Sequence, residues 1–159
     1  MASCRVVLLL GSGSDEEFSN TIVRILKDFG IMVTSRVASA HRTPRLLLEI
    51  LQENERNEQL VYVTVAGLSN ALSGFVDANT VHPVIACPPI GERFGGGDIL
   101  SSLRMPRGVA PLVVLEPENA AIAAAKILAE GDTELRSKVE AYQRKMRDKV
   151  ESDDLKLRK

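Results

Sequence analysis

Arg5-Val6-Val7-Leu8-Leu9-Leu10-Gly11-Ser12-Gly13-Ser14-Asp15 is the stretch from which the rest of the chain is read. Five apolar residues follow Arg5 without polar alternation, the mark of a strand covered on both faces. Gly11 breaks the run, and small polar residues lead into Phe18, Ile22, Ile25, Leu26 and Phe29 at helical spacing. Gly30 stands where a helix of that length should stop. Residues 31–37 then read as a second strand. Strand, helix and strand in succession make a right-handed crossover and hence a parallel sheet.

The same alternation continues outward. Pro44 suits the first turn of a second helix, whose predicted inner face is Leu46, Leu47, Ile50 and Leu51. Residues 60–65, 84–87 and 111–115 read as strands three, four and five. A short helix rich in small residues fits between 69 and 80, and an Ala-rich one from about 118 to 128. The expected fold class is α/β, a five-stranded parallel sheet between two helical layers, with a flavodoxin-like strand order as the candidate. One domain is expected over residues 1–159, with a core at 1–131 and a final helix at 132–159. That helix carries a stripe of Leu135, Val139, Tyr142, Met146 and Val150. The stripe fits either the edge of its own domain or another subunit.

Composition narrows the class. Hydrophobic residues at 45% exclude a disordered tail, and a net charge of -1 gives no footprint for nucleic acid. The apolar start is too short to span a membrane and has no secretory pattern. Cys4 and Cys87 show no ligand-like spacing and read as reduced thiols, so the expected location is the cytoplasm.

Open parallel sheets bind ligands beyond the carboxyl ends of their strands. The predicted exits are Gly11 to Asp15, then Ser39-Ala40-His41-Arg42-Thr43-Pro44, then Ala66-Gly67-Leu68-Ser69-Asn70, then Cys87-Pro88-Pro89. The first opens a helix, whose free N–H groups and dipole favour an anion. Gly11 and Gly13 permit close backbone approach, and the Ser12 and Ser14 hydroxyls suit phosphate oxygens. Asp15 suits two sugar hydroxyls, while Ser14 or Asp15 also fits a plain helix cap; both roles stay open. Glu16 occupies the third glycine position of a dinucleotide fingerprint and no P-loop exists, so a phosphosugar is favoured.

The second exit adds Ser39 and the permanent charge of Arg42, a phosphate partner. His41, beside them, is the candidate for proton transfer. His82 precedes Pro83 at a strand entrance, the opposite end of the sheet, and reads as structural. Cys87 is flanked by Pro88 and Pro89 and reads as a structural thiol. Phe94-Gly95-Gly96-Gly97-Asp98 is open between a lid and a helix entry capped by Asp98.

Taken in order, these segments resemble the aminoimidazole ribonucleotide (AIR) carboxylase and carboxyamino-AIR mutase family. The likeness extends through Ser69-Asn70-Ala71-Leu72-Ser73-Gly74, Ala86-Cys87-Pro88-Pro89, Ser101-Ser102-Leu103-Arg104-Met105-Pro106 and Leu115-Glu116-Pro117. Class I of that family is a mutase whose third-strand loop carries a second histidine; residues 66–74 here carry none, which is similar to the carbon-dioxide-dependent class II. Arg42, where class II usually has Lys, and Leu68, where it usually has Arg, depart from that pattern. The resemblance implies carboxylation of AIR by CO2 to carboxy-AIR (CAIR) with His41 as proton shuttle and no metal or cofactor. It implies Ser12, Ser39 and Arg42 on the phosphate, Asp15 on the ribose, and Gly67 and Ser69 around the imidazole and CO2. Gly11, Gly13, Ser14, Ala66, Asn70 and Leu72 are further expected contacts. It also implies a homo-octamer with the terminal helix between subunits. The rivals are the mutase of the same family and a non-catalytic phosphosugar sensor.

Overall fold

The computed structural model describes residues 4–158, Arg93 by its backbone alone; residues 1–3 of the predicted core and Lys159 lie outside the described residues. Five strands, β1 (Arg5–Leu10), β2 (Met32–Val37), β3 (Leu60–Val65), β4 (Val84–Ala86) and β5 (Leu112–Val113), form one sheet. Its order is β2-β1-β3-β4-β5, and every pair is parallel. This is the flavodoxin-like α/β arrangement. The helices are α1 (Glu16–Asp28), α2 (Pro44–Asn54), α3 (Leu72–Asp77), α4 (Leu100–Leu103), α5 (Pro117–Leu128) and α6 (Thr133–Leu157).

Side chains alternate across the pleat and sort the core into two layers. Val6, Leu8, Leu10, Val61, Val63 and Val65 point to the side of α1, α5 and the start of α6. Val7, Leu9, Leu60 and Tyr62 point to α2 and α3. The register aligns Val6 with Val61 and Val7 with Tyr62, so the two central strands agree about which face is which. Ala120, Ala121, Ala124 and Ala125 of α5 are fully buried; their small side chains bring the helix close to the sheet.

Three sequence expectations change in detail. Leu46 is 36% exposed, and the inner face of α2 is Leu47, Ile50 and Leu51 alone. A helix turns 100° per residue, so Leu47, Ile50 and Leu51 fall within an arc of about 100° and Leu46 lies outside it, about 140° from Leu51. The fifth strand shrinks from 111–115 to two residues. It is an edge strand beside β4, and past Cys87 the prolines 88 and 89 have no N–H to carry the ladder on. The final helix divides its stripe. Leu135 and Val139 are buried and Tyr142 packs on Phe29 with ring centroids 5.7 Å apart, whereas Met146 and Val150 are exposed. Among the described residues no helix is long and apolar enough to cross a membrane.

Both thiols are buried. The Cys4 thiol donates to Asp132 Oδ2 at 3.5 Å, and Asp132 caps α6 by accepting the Leu135 N–H at 2.9 Å. That backbone hydrogen bond holds the Asp132 carboxyl below its usual range. Burial pushes Cys4 up to about 11, aided by Asp132. Burial pushes Cys87 up to about 12, aided by the charge of Glu116. Tyr62, whose hydroxyl is buried without a partner, is likewise pushed up to about 12, by burial first and by Glu55 second.

These shifts fix an alkaline limit. Below the ordinary values of 9.0 for the thiols and 10.0 for the phenol, all three groups are neutral whether the chain is folded or not. Above them the unfolded chain releases protons that the folded chain keeps, so stability falls as pH rises toward about 12. The urea unfolding midpoint is expected to stay level up to about pH 9 and to decline beyond it. A midpoint that holds through that range would contradict the burial of these groups.

Candidate functional site

Register places the strand exits at one level. Leu10 lies opposite both Val37 and Val65, so Gly11, Ala38 and Ala66 begin their loops side by side, and Thr64 lies opposite Ala86, so the loop at Cys87 starts one residue earlier. Over them lies a cleft of about 480 Å³. The first exit contributes Gly11, Ser12, Ser14 and Asp15, and the second Ser39, Ala40, His41 and Arg42. The third contributes Ala66, Gly67, Leu68, Ser69, Ala71 and Leu72. Pro89, Ile90, Gly91 and Asp98 close the far side. Of the residues singled out from sequence, Gly13 and Asn70 do not line it.

Local hydrogen bonds shape each wall. Asp15 Oδ2 accepts the Ser12 N–H at 2.9 Å and the Ser12 hydroxyl at 3.2 Å, while Ser12 and Ser14 share a short hydroxyl contact. Asp15 therefore ties its own loop with one oxygen, and the other carries no hydrogen bond among the described residues. In the second loop the Thr43 hydroxyl accepts the Ser39 N–H at 2.9 Å, and the Thr43 N–H donates to the Ser39 carbonyl at 2.8 Å. That staple turns the chain tightly and leaves Ala40, His41 and Arg42 at its outer curve. The His41 ring and the Arg42 guanidinium are exposed, and neither has a hydrogen bond or ion pair among the described residues. The guanidinium of Arg42 thus keeps a permanent charge that no carboxylate neutralises among the described residues.

The floor depends on close backbone approach. A Cβ on Gly67 would stand 3.0 Å from the Pro89 carbonyl oxygen, and one on Gly11 3.0 Å from the Ala66 side chain. Next to them Leu68 has φ 57°, the one non-glycine residue in the left-handed region among those described, and its side chain is 57% exposed. A second cavity of about 550 Å³ adjoins the cleft and shares Leu68, Ser69 and Asp98 with it, adding Phe94, Gly97 and Ser101.

Asn70 works beneath the surface. It is 5% exposed; its amide donates to the Ser73 and Ser102 hydroxyls at 3.0 and 2.9 Å and accepts the N–H groups of Leu72 and Ser73. It fastens the β3–α3 loop to α4. His82, at the other end of the sheet, meets the Glu55 carbonyl at 3.3 Å and the ring of Tyr62. The segment 94–98 joins two 3-10 turns, Glu92–Phe94 and Gly97–Ile99, and Asp98 uses its carboxylate on the Gly91 N–H at 3.1 Å and not on a helix cap. Sequence reading passed over Ile90, Gly91 and Asp98 as lining; the glycine-rich run before Asp98 was the available signal. Among the described residues no three His, Cys, Asp or Glu side chains gather closely enough to hold a metal ion.

Comparisons with known proteins point one way. A family model described as AIR carboxylase matches residues 5–149. A phosphoribosylaminoimidazole carboxylase of Archaeoglobus fulgidus is 54% identical over 97% of this chain and 85% of its own length. An N5-carboxyaminoimidazole ribonucleotide mutase of Methanocaldococcus jannaschii is 40% identical over 96% of this chain and 97% of its own. The crystal structure of Treponema denticola PurE superposes with a TM-score of 0.95 at 44% identity, covering 98% of this chain and 99% of that one.

Because Asn70 holds its loop from below, Asn70→Ala should destabilise the fold by about 2–3 kcal/mol by orphaning buried donors and hydroxyls. Urea unfolding measures this. A change within error would mean that the network contributes nothing.

Proposed function

The chain belongs to the AIR carboxylase family, and we propose that it joins CO2 to C4 of AIR, giving CAIR reversibly without a metal or organic cofactor. It is an enzyme of purine biosynthesis. What carries the proposal is the free His41 imidazole set next to the unpaired Arg42 on one stapled turn, at the mouth of a cleft rimmed by serine hydroxyls.

In this reading Ser12, Ser39 and Arg42 take the phosphate, by two hydroxyls and one fixed charge. Asp15 offers its remaining carboxylate oxygen to the ribose. Gly67 and Ser69 line the place of the imidazole and CO2, with Gly11, Ser14, Ala66 and Leu72 around them. The aminoimidazole is an electron-rich enamine, so its ring carbon attacks CO2 unaided. The product of that attack carries hydrogen and carboxylate on one carbon, and the neutral His41 ring takes the proton that restores aromaticity. Carbon dioxide is small and apolar and contributes little affinity, so the nucleotide is held by its phosphate.

A second reading is the mutase, supported by Arg42 and by the relative from Methanocaldococcus jannaschii. Against it stands the loop of residues 66–74, which has no histidine, so that His41 is the only one lining the cleft. We place the enzyme in the cytoplasm, where its two thiols stay reduced. We further read it as an octamer in which the outer half of α6 is covered by neighbouring copies; exposed Met146, Val150, Leu155 and Leu157 favour such cover.

Purified enzyme given AIR and bicarbonate should form CAIR, and should leave the carboxyamino substrate unconverted; the reverse pattern would assign the mutase, and binding without either activity a sensor. His41→Asn is expected to lower turnover by about 10²–10⁴-fold with nucleotide affinity retained. A fully active His41→Asn enzyme would remove the shuttle.

A further inference from the structure

Two carboxylates line the cleft, and the reaction as described uses only Asp15, at the sugar end. The other, Asp98, is held on both sides. Its Oδ2 accepts the Gly91 N–H at 3.1 Å. The Ser101 hydroxyl lies 2.8 Å from the Asp98 carbonyl and 3.0 Å from that of Leu68, and it accepts the Asn70 N–H at 3.0 Å. Yet Asp98 Oδ1 is buried and has no donor, and no cation pairs with the carboxylate among the described residues. A buried carboxylate oxygen without a donor is unfavourable. Sites that use the charge are where such groups are kept.

Strand order says what lies opposite. The phosphate-binding loops leave β1 and β2, whereas Gly91 and Asp98 follow β4, on the other side of β3. Adjacent strands are about 4.8 Å apart, so the exits of β2 and β4 are separated by roughly 14 Å. A ribonucleotide anchored by its phosphate at one end of that span carries its ring toward the other. Of the lining residues supplied by the loops after β3 and β4, Asp98 alone bears a charge.

The carboxylation needs a negative charge there. When C4 bonds to CO2, the C4=C5 π pair of the ring forms the new bond, the lone pair of the exocyclic amine moves into the C5–N bond, and the pair displaced from a C=O bond of CO2 becomes the carboxylate. The amine is then an iminium cation. When His41 takes the C4 proton, the C–H electron pair returns to the ring and the amine is neutral again. Positive charge therefore exists on the amino edge only between the two steps. We propose that Asp98 is the counter-charge for this cationic intermediate. Its fixed carboxylate stabilises the iminium through space and turns the amino edge toward the β4 side, while the new carboxylate is repelled from it. The proposal rests on the carboxylase reading.

Asp98→Asn separates this role from a structural one. An amide oxygen still accepts the Gly91 N–H, so the loop clasp survives while the charge is lost. The variant is expected to melt with the wild type and to bind CAIR at least as tightly, since a repelling charge is gone, but to turn over AIR and CO2 about 10–100-fold more slowly. Asp98→Glu, which restores the charge, should recover part of the rate. Wild-type turnover by Asp98→Asn, with loss confined to Asp98→Ala, would reduce Asp98 to a loop clasp and overturn the proposal. A drop in CAIR affinity that accounts for the whole loss in Asp98→Asn would overturn it too. A wild-type control inactive with AIR and CO2 would instead bring down the carboxylase reading, and is told apart because it needs no variant.

Discussion

Backbone hydrogen bonding between β1 and its two neighbours is the constraint on which the cleft depends. It sets Val37, Leu10 and Val65 in one row, so that three loops start level and their short polar side chains meet. A slip of one residue would move an exit by about 3.3 Å and turn every side chain of that strand to the other face. The buried valines and leucines of β1 and β3 forbid the slip, since each face has its own helical layer to fill. The hydrophobic core thus sets the geometry of the site above it, which it meets at Ala40, Ala66 and Leu72.

Charge is distributed in keeping with this division. The ion pairs of the surface, such as Arg36–Glu53 and Arg136–Glu130, join exposed side chains and contribute little to stability. In the cleft the pattern reverses. Among the described residues Arg42 has no carboxylate partner and Asp98 no cation, and the loops around them are tied by hydroxyls, backbone groups and the single bond from the Gly91 N–H to Asp98. The walls are fixed without pairing one full charge to another, which leaves net charge within the cleft.

Much of this was legible in the sequence because periodicity reports burial directly. The unbroken apolar run of β1, the helical stripe of α1 and the glycine after it led to the correct sheet, and the small polar residues after each strand led to the first three walls. Of the fourth wall only Pro89 was legible, as the end of the fourth strand's exit. Asp98 reaches the cleft through two 3-10 turns and a side-chain bond to Gly91, seven residues back, and neither leaves a periodic trace. Asn70 looked like a rim residue because it directly follows Ser69; the turn into α3 takes its amide inward, toward hydroxyls 3 and 32 residues away. Leu46 and the length of β5 failed for a simpler reason. Pattern identifies an apolar residue but not which of two neighbours meets the core, nor how far an edge ladder continues.

Leu68 carries a consequence of its own. A leucine with φ 57° sits in a backbone region that disfavours it by about 1–2 kcal/mol, and the Ser101 hydroxyl beside its carbonyl helps to keep it there. Glycine would suit the bend better and make a hardier molecule. It would also take away a side chain that borders two neighbouring hollows at once. Persistence and shape are thus set against each other at a single position, and a search for heat-tolerant variants that fixes glycine there would select a sturdier backbone with one wall residue fewer.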